Sequence, residues 1–230
     1  MTVKFAGMSE HFIVLPGASP YTHRMNTLET GWRGSRDGWV AAAYETLIDQ
    51  GIDAVKVQPL AARLKLSRTS FYWFFKDRAD LLSALIDMWA GRTTAPLVAA
   101  ATAYAATETE AMLNVIACFL AEKTFDARLE FAVRGWALQD TAILDRLRTA
   151  DTERLFALQA MLVRWGHAAA DADARARTIY LTQIGYISMQ TRETMQTRLP
   201  RVPHYVEIFC GTCPSPAELA RFQAGLLPAA

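Results

Sequence analysis

The stretch from Lys56 to Leu82, KVQPLAARLKLSRTSFYWFFKDRADLL, constrains the fold more than any other part of this chain. It begins as a short amphipathic helix carrying Leu60, Ala61 and Leu64, closed by a tight connection at Lys65-Leu66. Ser67 then offers a hydroxyl to the unpaired N–H groups of a following first turn, which marks it as an N-cap. From Arg68 to Phe75 the apolar positions Phe71, Phe74 and Phe75 recur at i, i+3 and i+4, so one side of a second helix faces a core. The other side carries Arg68, Thr69, Tyr72 and Trp73, side chains that reach phosphates and base edges. Two short helices joined by a turn, with the second displayed, are the element that fits a B-DNA major groove.

Charge is concentrated on the same element. Between Lys56 and Arg78 the cations Lys56, Arg63, Lys65, Arg68, Lys76 and Arg78 face Asp77 alone, a local +5, whereas the whole chain is only +1. A basic patch of this kind neutralises phosphates and releases their counterions.

The run from Trp39 to Trp89 resembles the amino-terminal DNA-binding domain of the TetR family of bacterial transcriptional regulators. The resemblance rests on AAAYETLIDQG as first helix, VKVQPLAARLKLS as second helix and turn, and SRTSFYWFFKDRADLL as recognition helix and start of the fourth. Three positions depart from the family pattern. Lys56 stands where Thr or Ser is usual, Lys65 where Gly often sits in the turn, and Trp73 where His is frequent. Lys65 is therefore expected in a left-handed backbone conformation, at some cost to a residue with a Cβ.

An all-α fold is expected throughout. Of 230 residues 52% are hydrophobic and 20% charged, enough for a real core, and Ala, Leu and Arg are abundant without β-branched alternation. No apolar run approaches the ~20 residues of a membrane helix, and the first 24 residues lack the pattern of a signal peptide. The three cysteines, Cys118, Cys210 and Cys213, form no disulfide framework, which fits a cytoplasmic location.

Three regions are expected: a flexible extension over 1–34, a three-helix helix-turn-helix domain over 35–78, and a helical ligand-binding and dimerisation domain over 79–230. Arg24, Arg33 and Arg36 could form a basic arm. The first helix runs from an N-cap at Ser35 to Gly51, and Asp77, with Asp80 three residues on, caps a fourth that fades near Thr94 before Pro96. Residues 95–107 read as frayed helix or loop. Further helices are expected over 108–123, 128–138, 141–165 and 171–198, the last ended by Pro200 and Pro203. A final one, 216–227, is started by the capping box of Ser215 and Glu218.

The DNA-contacting set is Lys56, Lys65, Ser67, Arg68, Thr69, Ser70, Tyr72, Trp73 and Lys76. Arg68 is placed to pair with a guanine, Thr69 and Ser70 to approach bases closely, and Lys65, Tyr72 and Lys76 to hold phosphates. The partner is double-stranded DNA, and one recognition helix makes too little contact for a specific site, so a homodimer on a palindromic operator is expected, with helices 141–165 and 171–198 as candidate interface. The resemblance implies a four-helix dimer bundle and a small-molecule effector pocket among the middle helices. Candidate lining residues are Trp89, Phe119, Phe131, Arg134, Trp136, Trp165, Gln183 and Tyr186, with Arg134 either meeting an anion or pairing with Glu130 or Asp140.

No cofactor, metal or membrane is implied, and nothing has the pattern of a catalytic site. The reading is of a regulator, and the resemblance implies a repressor released by its effector. Two alternatives stay open: a head that binds a protein, and redox or metal chemistry at Cys210 and Cys213, for which only His204 lies near as a further ligand.

Overall fold

The hydroxyl of Ser35 accepts from Gly38 N at 3.0 Å and opens α1 (Arg36–Gln50), which Gly51 closes at φ 83°. The computed structural model of the chain describes residues 34–121 and 124–226. The expectations for residues 1–33, Arg24 and Arg33 among them, and for Glu122, Lys123 and Leu227 lie outside the described residues. Those described form helices and turns, with no strand among them.

A 3-10 turn (Ile52–Ala54) leads into α2 (Val57–Leu64), whose N-cap position is Lys56. A Ser or Thr there would cap the helix; the lysine makes no such bond and leaves its amino group outside. Lys65 takes the left-handed conformation expected of it, φ 55° and ψ 38°. The recognition helix α3 (Arg68–Phe71) is shorter than its apolar spacing suggests, ending at Phe71 and not Phe75. The N–H groups of Tyr72, Trp73 and Phe74 bond to the carbonyls three residues back, so the chain tightens into turns while Phe71 and Phe75 remain buried and stacked at 5.3 Å. Trp39 of α1 meets Phe71 edge-on at 5.2 Å, which fixes α3 against the first helix.

Asp77 caps α4 (Arg78–Thr102) by accepting from Asp80 N, while Asp80 reaches back to Lys76 N at 3.0 Å. This helix does not fade near Thr94. It runs through Pro96, and the whole of 95–102 is helical. Proline removes the bond to the carbonyl four residues back, and here that carbonyl, on Arg92, accepts from Asp126 N at 3.0 Å instead. The interruption thereby becomes the anchor for the start of the sixth helix.

Next come α5 (Glu108–Leu120), α6 (Ala127–Ala137) and α7 (Thr141–Arg164), the last capped by Asp140 and followed by Gly166 at φ 97°. The long helix expected over 171–198 is divided. α8 (Ala169–Ser188) stops short, Gln190 adopts φ 49°, and α9 (Met195–Arg198) begins after a loop. Pro200 and Pro203 do not end a helix. Pro203 lies in the first turn of α10 (Val202–Cys210), where a missing N–H costs nothing. α11 (Pro216–Leu226) carries the expected capping box, Ser215 N donating to Glu218 at 2.6 Å and Glu218 N to Ser215 Oγ at 3.3 Å.

Two apolar clusters form. The first joins α1 to α4 with α6 and the start of α7, around Trp39, Phe71, Leu85, Trp89 and Val133; the second joins the end of α4 with α5, α7, α8, α10 and α11. Between them lies a buried ionic cluster. Arg154 of α7, with 0% exposure, donates to both oxygens of the equally buried Glu130 of α6, at 2.8 and 3.1 Å, and to Thr93 and Thr94 of α4. Tyr180 of α8 and Arg134 of α6 complete it, with Arg134 held by Glu130 and Asp151. The Arg154 guanidinium lies 5.1 Å from the ring centre of Trp89 in the first cluster and 5.8 Å from that of Phe125 in the second.

Arg154→Met should lower the free energy of unfolding by about 3 kcal/mol, because Glu130 stays buried with half its partners gone. Adding Glu130→Gln should restore part of the loss in urea titration, and a cost under ~1 kcal/mol for the single change would show that the cluster is not held as described.

A second prediction concerns His167, which bridges Glu108 at 2.5 Å and Asp171 at 2.8 Å and so joins α5 to α8. The bond to Glu108 raises the imidazole pKa, against partial burial, and Asp171 adds to the rise. A raised folded-state pKa stabilises the protein fully below the unfolded value near ~6.5, and that contribution is lost as pH rises through the folded value. Wild type should therefore lose stability relative to His167→Gln as pH increases above ~6.5; parallel curves would exclude the bridge.

Candidate nucleic-acid interface

The amino-terminal helices leave most of the expected contact residues exposed. Lys56, Lys65, Arg68, Thr69 and Lys76 are all exposed. Tyr72 is 51% exposed, and Arg68 Nη2 donates to its hydroxyl at 3.3 Å, so both polar groups stand on the outer side of α3. Trp73 is 67% exposed, so it too stands on the surface.

Ser67 and Ser70 take a different part. The Ser67 hydroxyl caps α3 by accepting from Ser70 N at 3.3 Å, and the two hydroxyls share a hydrogen bond of 3.0 Å. Ser70 is buried, so it does not approach a base edge as its small size suggested; it steadies the turn that presents Arg68 and Thr69. Arg78 likewise turns inward, donating to Val55 O at 2.6 Å and Ile52 O at 3.0 Å. Its charge contributes to the field, but its N–H groups are used to lock α4 onto the turn before α2.

Arg36, in the first turn of α1, stacks on Phe75 at 5.2 Å and adds a cation next to the recognition helix. Asp77, the one acid of the Lys56–Arg78 stretch, is engaged as a helix cap. What remains is a set of exposed cations around a short helix, with a large aromatic at its end. Such a surface can bind phosphates from several directions while one guanidinium and one hydroxyl reach the groove floor.

Beside the middle helices lies an open pocket of about 470 Å³. Phe119, Phe131, Gln183 and Tyr186, four of the expected lining residues, do line it, together with Ile48, Ile187, Arg128, Arg192 and Arg198. The other four do not. Trp89 is buried and donates Nε1 to Glu130 at 2.7 Å, and Trp136 is buried in the first apolar cluster. Trp165 packs on the second, at the end of α7. Arg134 pairs with Glu130, as expected, and with Asp151 in place of Asp140, which caps α7. Helical spacing cannot tell a core aromatic from a pocket aromatic, and Arg192 on the α8–α9 connection had no periodicity to reveal it.

Neither thiol of the Cys210/Cys213 pair is activated. Burial, with the Glu108 carboxylate beside it, pushes the Cys210 thiol up to about 12, and a hydrogen bond to Glu207 raises that of the exposed Cys213. Such thiols are poor nucleophiles and poor metal ligands at neutral pH. Among the described residues no group of three or more His, Cys, Asp or Glu side chains is placed to hold a metal, and no helix is long and apolar enough to cross a membrane.

Residues 40–85 match the model of the bacterial regulatory proteins of the tetR family, a family of DNA-binding regulators that are not enzymes. The fold is similar to that of GusR from Salmonella enterica, at 12% identity and TM-score 0.58, covering 83% of this chain and 94% of that one. It is also similar to Mycobacterium smegmatis AmtR, at 16% identity and TM-score 0.56, covering 85% and 97%. A transcriptional regulator from Rhodococcus sp. Rha1 aligns at 16% identity and TM-score 0.52, covering 85% and 100%. No curated protein matches the sequence. At these identities the structural likeness speaks for the fold.

Arg68→Ala tests the surface. It should erase preference among DNA sequences, by roughly 1–3 kcal/mol at one base position, more than it weakens total binding. Equal loss on every sequence in a competition assay would reduce Arg68 to a phosphate contact.

Proposed function

We propose, from an amino-terminal domain that belongs to the tetR family, that this DNA-binding regulator acts in the cytoplasm as a homodimer on a palindromic operator, and that it is a repressor released by a small molecule. The observation that carries the reading is the outward set of Lys56, Lys65, Arg68, Thr69 and Lys76 beside α3, with Asp77 engaged as a cap and Asp80 bound to the Lys76 N–H. Lys65, Tyr72 and Lys76 set register on the phosphates; Arg68 and Thr69 read bases.

The outer faces of α7 and α8 support the dimer. Phe156 is 70% and Leu181 62% exposed, each in a stripe of uncharged positions: Thr149, Thr152 and Val163 on α7, Ala174, Thr178 and Thr182 on α8. The hydroxyls of all four threonines donate to their own helix, to the carbonyl four residues back. With the hydroxyls satisfied internally, the stripe can meet a second copy of itself without leaving polar groups unpaired. The cavity is the effector site, and because Ile48 of α1 forms part of its wall, occupancy bears directly on the helix that supports α3. A ligand that fits better when the two heads are wrongly spaced would shift the population away from DNA.

The test is selection of operator DNA from fragmented source genome, followed by salt titration. A recovered palindrome whose affinity falls about 1000-fold between ~50 and ~200 mM salt is expected. Phe156→Arg with Leu181→Arg should give a monomer in sedimentation that has lost the palindrome and keeps weak, non-specific binding. No enrichment by the wild-type protein would overturn the operator reading and leave a head that binds a protein.

A further inference from the structure

Three arginines line the cavity, and no described carboxylate does. Among the described residues Arg192 and Arg198 have no acidic partner, and Arg198 stacks on the Tyr186 ring at 4.7 Å. Stacking engages the face of a guanidinium and leaves its N–H edge able to donate. Arg128 does have a partner, Asp49 at 3.3 Å, but both side chains are about half exposed or more, so the pair is screened by water and open to exchange. One part of the wall is apolar and aromatic, with Phe119, Phe131, Ile48 and Ile187, beside the polar Gln183, Gln190 and Thr191. Arginine edges beside an apolar wall recognise one kind of small molecule: an oxyanion, which a guanidinium can hold with two N–H groups, on a hydrophobic body.

We infer that the cavity binds an organic anion, a carboxylate or an acid of like geometry, with its charged group on Arg128, Arg192 and Arg198 and its apolar body against Phe119 and Phe131. The inference rests on the effector reading above and adds both the ligand class and a path to the head. Asp49 sits in the last turns of α1, next to Ile48. An anion on Arg128 competes with Asp49 and releases a tie between α6 and α1. α1 packs against α2 and holds Phe71 of α3 through Trp39. Ligand occupancy and the position of the recognition helix are thus linked through an exchangeable ion pair as well as through Ile48. The remaining ties of α1 to this region, Tyr44 to Asp126 at 2.9 Å and Arg92 over the Tyr44 ring at 5.0 Å, do not involve a cavity arginine.

Two fluorescent probes of nearly the same hydrocarbon body make the test: 1-anilinonaphthalene-8-sulfonate and the uncharged N-phenyl-1-naphthylamine, titrated into the full-length protein. The sulfonate should bind about tenfold or more tightly than the neutral probe, the worth of one or two charge-assisted hydrogen bonds. Arg192→Gln and Arg198→Gln together should remove that preference and leave the neutral probe unaffected. Asp49→Asn should act in the opposite direction and tighten the sulfonate relative to the neutral probe, whereas a loosened fold would raise the binding of both. Equal affinity of the two probes overturns the inference, as does a sulfonate preference that survives the arginine substitutions or a weakening in Asp49→Asn. DNA affinity, measured in parallel, separates the two readings. Sulfonate binding by these rules without DNA release would keep the anion site and refute effector release. DNA release by the neutral probe alone would keep the effector site and refute its anionic class.

Discussion

Arg154 has no access to water, and it stays charged there because Glu130, Thr93, Thr94 and Tyr180 accept from its guanidinium. Moving these charges out of water costs several kcal/mol per ion, and the attraction between them offsets that only when the geometry is held closely. The four helices that supply the groups, α4, α6, α7 and α8, are therefore restricted to one mutual register. An apolar contact tolerates a slide of an ångström; a two-oxygen, two-nitrogen pair between buried ions does not. The apolar clusters on either side give most of the burial, and the ionic cluster fixes how they meet.

The same helices determine what lies at each end. α4 begins at the Asp77 cap beside the recognition helix, passes the ionic cluster at Thr93 and Thr94, and continues through Pro96 into the second apolar cluster. Because Asp126 N takes the carbonyl that Pro96 leaves open, the start of α6 is pinned to the middle of α4. Asp126 also receives the Tyr44 hydroxyl of α1 at 2.9 Å. The head and the cavity thus share supports, and α1 belongs to both.

In the head, local chemistry and tertiary packing agree closely. Ser35, Ser67 and Asp77 cap the helices that their sequence positions announced, Gly51 closes α1, and Lys65 takes the left-handed turn. Short-range rules suffice because the spacing of the aromatic residues leaves one way to bury Phe71 and Phe75 against Trp39. Among the expected contact residues, exposed side chains such as Arg68 and Lys76 were legible from their place opposite that face. The inward turns of Ser70 and Arg78 were not, since a hydroxyl or a guanidinium gives no sign in sequence of which neighbour it will satisfy.

By itself the sequence determined an all-helical chain, a helix-turn-helix with its basic surface, and the helix starts that have capping side chains, because these depend on groups within four residues of one another. Tertiary structure alone decided that Pro96 would be passed through. It also decided that Arg134 would be neutralised within the protein while Arg128, Arg192 and Arg198 faced a cavity. Each of those outcomes turns on a partner 17 to 59 residues away: Asp126 for the Arg92 carbonyl, Asp151 for Arg134, Tyr186 and Ile187 beside Arg128. Charge and periodicity are properties of a chain, but whether a charge is neutralised or left open to a ligand depends on what folding places beside it.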